Sequence, residues 1–154
     1  MNKFIVFILL AVSFHLSADD MRPVSLSVIA TSTTEFDATL KIPIRNGKKQ
    51  DLSLVLSSDA RLINPPARRV VDNAFFERSK YQREQGLVNL SIRIDGLVGV
   101  SGDVLVRVVD HNAQSNTYIL NTQKPEMVVE SLNTLTPLNT AITYIEQGFE
   151  YILI

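Results

Sequence analysis

The chain has no cysteine and only two histidines, and these shortages remove more function classes than any motif adds. Without cysteine there is no disulfide to staple the fold, no thiol nucleophile and no thiolate ligand for zinc. His15 lies in an apolar N-terminal run, which leaves His111, within Asp110-His111-Asn112, as the single imidazole able to take a proton from a hydroxyl nucleophile. One histidine in a polar turn reads as solvated surface. Multi-histidine zinc sites fall with it, and no metal or cofactor is expected.

Nucleotide and calcium motifs are missing as well. Gly96, Gly99 and Gly102 are spaced like a phosphate loop, but the segment lacks the Gly-Lys-Ser/Thr ending and runs into a strand pattern. With no helix N-terminus behind it, the segment reads as a bulged or flexible connection. No run repeats the alternating oxygens of a calcium loop, and Asp95-Gly96 and Gly102-Asp103 read as turns. A formal net charge of −1 on 154 residues gives no field that would gather nucleic acid. A carboxylate pair of glycosidase type leaves no sequence spacing, so a carboxylate-dependent hydrolase stays as a second alternative.

What is present begins at the N-terminus. Lys3 supplies a positive charge, Phe4 to Leu16 are almost unbroken apolar chain, and Leu16-Ser17-Ala18 offers a small residue at a cut. This is the layout of a cleavable secretory signal peptide over residues 1–18. The apolar run is shorter than the roughly 20 residues a spanning helix needs, so no membrane span is expected after cleavage. The remainder, 19–154, fits one domain, and its destination is the periplasm, the cell surface or the medium.

Period-two alternation dominates that remainder. Phe36, Ala38, Leu40, Ile42 and Ile44 alternate with polar residues or Pro43, and Leu52, Leu54 and Leu56 follow beyond Asn46-Gly47, a strong hairpin signal. Pro43 lacks a ladder donor, which predicts an edge strand or an outward-facing proline. Val24 to Ala30, Val88 to Ile94 and Val104 to Val109 repeat the pattern, the last followed by a polar turn and Thr117 to Leu120. Weaker strands are predicted at Leu62-Ile63, Met127 to Val129, Ala141 to Ile145 and Phe149 to Ile154. The fold expected is all-β, an immunoglobulin-like antiparallel β-sandwich of about eight strands, with a small barrel as the alternative.

One stretch departs from alternation. Asn64 to Gly86 opens with Pro65-Pro66, and its spacing allows a short helix over 73–85 with Gly86 as its stop. Between Arg61 and Gly86 stand six basic and three acidic residues. Arginine and aromatic side chains are enriched at binding hot spots, so Arg68, Arg69, Phe75, Phe76, Arg78, Lys80, Tyr81 and Arg83 are the candidate binding residues. The plainer alternative is that the aromatics cap the core while the charges sit in water.

Pro125 to Ile154 is opposite in sign, with Glu126, Glu130, Glu146 and Glu150 and no basic residue. Acidic and basic surfaces on different faces would draw subunits head to tail. Alternating terminal segments, Val24 to Ala30 and Phe149 to Ile154, suit strand addition between subunits. A signal peptide, a sandwich-sized domain and an alternating N-terminal segment together resemble the subunits of bacterial chaperone-assembled fimbriae, a resemblance of architecture that transfers no site residues. The expected function is an exported, non-enzymatic protein acting through contacts with other subunits or a surface-assembly partner, homo-oligomerisation included. The alternative is a self-contained ligand-binding module.

Overall fold

The computed structural model describes residues 22–100 and 102–130. The signal-peptide reading and the strands expected at Ala141 to Ile145 and Phe149 to Ile154 lie outside these residues. The architecture is all-β: eleven strands and no helix among the described residues, in two mostly antiparallel sheets. The strands are β1 (Val24–Ala30), β2 (Glu35–Arg45), β3 (Lys48–Lys49), β4 (Ser53–Leu56), β5 (Arg61–Leu62), β6 (Ala67–Val71), β7 (Ala74–Gln82), β8 (Ser91–Asp95), β9 (Val104–Val109), β10 (Ser115–Leu120) and β11 (Glu126–Val128). The larger sheet runs β10-β9-β1-β2-β7-β5, with β3 beside β2 and β6 beside β7, and the smaller runs β11-β8-β4.

Alternation decides which side chains meet between the sheets. Leu26 and Val28 of β1, Phe36, Ala38, Leu40 and Ile42 of β2, and Val104, Val106 and Val108 of β9 point inward from the larger sheet. Leu52, Leu90, Ile92, Ile94, Met127 and Val129 join them in one core. Each fully buried branched side chain there adds about 1.5–3 kcal/mol. Two open sheets over a shared core are consistent with a β-sandwich, not with a single closed sheet.

Several expectations are met and several are corrected. Asn46 and Gly47 both take positive φ (50° and 72°), as a two-residue hairpin turn requires, but the hairpin is brief. After β3 the chain turns at Gln50 to Leu52 and crosses to the other sheet, where β4 pairs with β8. Pro43 is not on an edge strand, since β2 lies between β1 and β7. The Ile44 N–H donates to the Asn73 carbonyl, so the nitrogen of the preceding residue faces β1. The β1 ladder stops at Ser25 opposite Lys41, and Pro43 therefore deprives no partner.

The expected helix over 73–85 is instead the nine-residue strand β7. Asp72 and Asn73 both have positive φ and form a tight turn between β6 and β7, which pair from Val71↔Ala74 to Ala67↔Arg78. The strand expected to start at Val88 begins at Ser91, and Val88 is exposed in the turn before it. Gly86 is no helix stop. Its φ is +55°, and an added Cβ would collide with the Thr33 carbonyl oxygen, so only glycine fits.

The N-terminal strand β1 is hydrogen-bonded on both sides, antiparallel to β2 and parallel to β9. Deleting Asp19 to Ala30 removes the link between those strands together with Leu26 and Val28. The truncated chain is expected to lose its cooperative thermal transition by circular dichroism. A truncated form that keeps its sheet signal and melts cooperatively would show that β1 is dispensable.

Candidate functional site

The antiparallel register of β2 against β7 sorts the candidate residues by face. Phe36↔Tyr81, Ala38↔Ser79, Leu40↔Glu77 and Ile42↔Phe75 share the inner face, while Asp37↔Lys80, Thr39↔Arg78 and Lys41↔Phe76 share the outer one. On the inner face Tyr81 stacks on Phe36, with ring centroids 5.6 Å apart and 18° between planes, and Phe75 packs against the core with Lys49 4.3 Å over its ring. Burial raises the Tyr81 phenol above its usual range. Phe75 and Tyr81 thus pack on the core, as the plainer reading of the sequence expects of all three aromatics, whereas Phe76 does not.

Basic residues and Phe76 gather on the outer face. Phe76 lies between the Lys41 ammonium (5.7 Å to its centroid) and the Arg69 guanidinium (5.4 Å), both within cation–π range. Beside it Arg78 pairs with Asp37 at 2.5 Å and Lys80 with Glu35 at 2.8 Å. The hydrogen bonds to these carboxylates push both cations' pKa values up. Arg68, on the other face of β6, pairs with Glu77 at 2.6 Å. The structure therefore brings Arg69, Phe76, Arg78 and Lys80 together, places Arg68 behind them and separates Phe75 and Tyr81 into the core. They belong to a hairpin, not to a loop.

Arg83 stands apart and is the most constrained of the eight. Its side chain is 5% exposed, and every group it meets is a hydrogen-bond acceptor. Nε donates to Asp59 Oδ2 at 2.7 Å, Nη1 to the carbonyls of Gly86 (3.0 Å) and Val88 (2.6 Å), and Nη2 to Gln85 Oε1 at 3.4 Å. The guanidinium thus holds the turn that carries the chain from β7 toward β8. The Arg83 bond holds the Asp59 carboxyl below its usual pKa.

Arg83, Asp59 and Gln85 also border a cleft of about 520 Å³, completed by Thr34, Arg61, Gln82 and Glu84. Asp59, Arg61 and Glu84 escaped the sequence reading, because the first two come from one segment and Glu84 from another and no spacing joins them. Two acids in one cleft is the arrangement a carboxylate hydrolase requires. Asp59, however, is held ionised by Arg83, which suits a base or nucleophile and not a proton donor, whose pKa must be raised. His111 is exposed in the turn after β9. Among the described residues no group of three or more His, Asp or Glu side chains is placed to hold a metal ion.

Two consequences are measurable. Arg83→Met is expected to destabilise the fold by about 1–3 kcal/mol in urea titration, because it takes the donor from the buried Gly86 carbonyl and the part-buried Val88 carbonyl, whereas Arg78→Ala changes stability by less than about 1 kcal/mol. The Asp59 contribution has a definite sign. Its folded pKa is depressed, so the stabilisation is present above its unfolded value near pH 4 and is lost as pH falls through the folded value. Asp59→Asn should therefore flatten the acid side of the stability profile, and equal acid slopes in the two proteins would show that the bond contributes nothing. No family model matches the chain and no curated protein matches it significantly, so the chemistry of this region rests on its own residues.

Proposed function

We propose that the chain is an exported, non-enzymatic protein of immunoglobulin-like sandwich type, acting through protein contacts as a subunit or accessory of a bacterial surface structure. The observation that carries this reading is the margin formed by β5 and β6. Leu62 (41%), Ile63 (40%), Val70 (62%) and Val71 (43%) are large apolar side chains exposed along it, and Arg61, Arg68 and Arg69 stand among them. An apolar strip studded with arginines is the composition of a protein-binding surface. The signal-peptide pattern of residues 1–18 supports export.

The strand-addition idea takes a different form from the one the N-terminal sequence suggests. With β1 paired on both sides within its own sheet, a strand added at an open edge would come from another segment. That same closure favours a second reading, a self-contained binding module whose ligand occupies the cleft lined by Arg61, Gln82 and Glu84.

Export and contact are tested together in bacterial cells carrying a tagged full chain. The expected result is a tagged protein shortened by about 18 residues, the length of the signal-peptide pattern, outside the cytoplasm and joined to other polypeptides by a membrane-impermeant cross-linker. Retention in the cytoplasm at full length ends the export reading. An exported chain that stays uncross-linked ends the contact reading in favour of the module, for which Arg61→Ala should abolish ligand binding.

A further inference from the structure

We infer that the outer edge of β6 accepts, as an added strand, the C-terminal segment Phe149 to Ile154 of a second copy of this chain. The inference rests on the reading that the protein acts through protein contacts, and it names the two surfaces that meet.

The edge is defined by backbone direction. The Ile44 N–H donates to Asn73 and the Ile63 N–H to Lys80, each at 2.8 Å. Peptide groups alternate in direction along an antiparallel strand. Positions 73, 75 and 77 therefore turn toward β2, while 74, 76, 78 and 80 turn toward β5 and β6. The partners of 74, 76 and 78 are Val71, Arg69 and Ala67, whose peptide groups are used within the sheet. Those of Arg68 and Val70 point away from it. Among the described residues no strand pairs with β6 on that side, and every β6 side chain is exposed. An open edge bearing apolar side chains is a template for another chain.

Charge selects the occupant. Arg68 already holds Glu77, but Arg61 and Arg69 beside it have no carboxylate partner among the described residues, so an arriving segment gains if it is acidic. Phe149-Glu150-Tyr151-Ile152-Leu153-Ile154 carries one glutamate and no basic residue, follows Glu146, and is rich in the aromatic and β-branched residues that suit a strand. Topology places the exit of the described chain. β11 lies across β8 from β4, and β4 leads through a short connection into β5. The chain thus leaves the described core at the small-sheet margin away from β5 and β6. A donor segment of one copy and an acceptor edge of another are different surfaces, and such a heterologous contact repeats from copy to copy.

The absence of cysteine gives a clean test on the full chain beginning at Asp19. A Val70→Cys chain is mixed with chains carrying one cysteine at each of positions 149–154, and the mixture is oxidised. Two-chain disulfides at alternate donor positions are expected, and none when the acceptor cysteine is Thr117→Cys on β10 instead. In light scattering, Val70→Pro removes one outward N–H while sparing the β6–β7 ladder, and should raise the concentration needed for assembly about tenfold or more. High salt should raise it too. Cross-links that do not discriminate between Val70→Cys and Thr117→Cys overturn the proposal, as does assembly unaffected by Val70→Pro. A disulfide formed only within a doubly substituted single chain assigns the edge to the protein's own C-terminus and overturns the second-copy donor. In these cases cross-links on cells would still stand, so the edge assignment fails without the contact reading failing.

Discussion

The rest of the structure hangs on the two faces of β2. Its inward residues, Phe36, Ala38, Leu40 and Ile42, are almost wholly buried, and they anchor the core from the middle of the larger sheet. Its outward residues, Glu35 and Asp37, pair with Lys80 and Arg78 of β7. A slip of one residue between β2 and β7 would bury the carboxylates and expose Phe36. The exposed ion pairs add little stability by themselves, but they agree with the core about register. β7, once in register, dictates which peptide groups β5 and β6 use and which they present to solvent.

Strands whose inward residues are all apolar were legible from sequence: β1, β2, β9 and the buried part of β8 show their alternation openly. β7 hid because its inward row, Phe75, Glu77, Ser79 and Tyr81, mixes apolar with polar residues near the sheet margin, while its outward row includes Phe76. Counting hydrophobic residues there gives a spurious helical spacing. Two other signals were available. Asp72-Asn73 is a dipeptide that tolerates positive φ, and it sits between Val70-Val71 and Ala74-Phe75 as a hairpin turn should. Glu35-Phe36-Asp37 and Arg78-Ser79-Lys80 carry opposite charges at the same period of two, the mark of facing strands.

The candidate site was legible as a composition and not as a geometry. The basic and aromatic residues singled out do cluster, but an alternating strand distributes them among three tasks: closing the core, decorating the outer face and, at Arg83, fixing a turn. Arg83 could not be told from Arg78 by sequence, since both are arginines with nearby acids. The difference is that Arg83 lies just past the end of β7, where the chain folds back over its guanidinium and supplies carbonyl oxygens. The cleft beside it joins Thr34, Asp59 and Glu84 from three segments, and only the folded chain puts them together.

The edge of β6 carries its own restraint. Pro65-Pro66 interrupts the strand between β5 and β6, and arginines stand on what remains; both are common means of keeping an edge from pairing indiscriminately. The arginines do more than blunt it. Two copies meeting β6 to β6 in the registers centred on Arg68 or Arg69 would set that arginine against itself, and like charges directly opposite are destabilising. A segment with glutamate in place of arginine meets no such repulsion. The edge is therefore biased against the symmetric dimer and toward a donor of different composition. That bias is what turns an exposed apolar margin from an aggregation hazard into a directional contact.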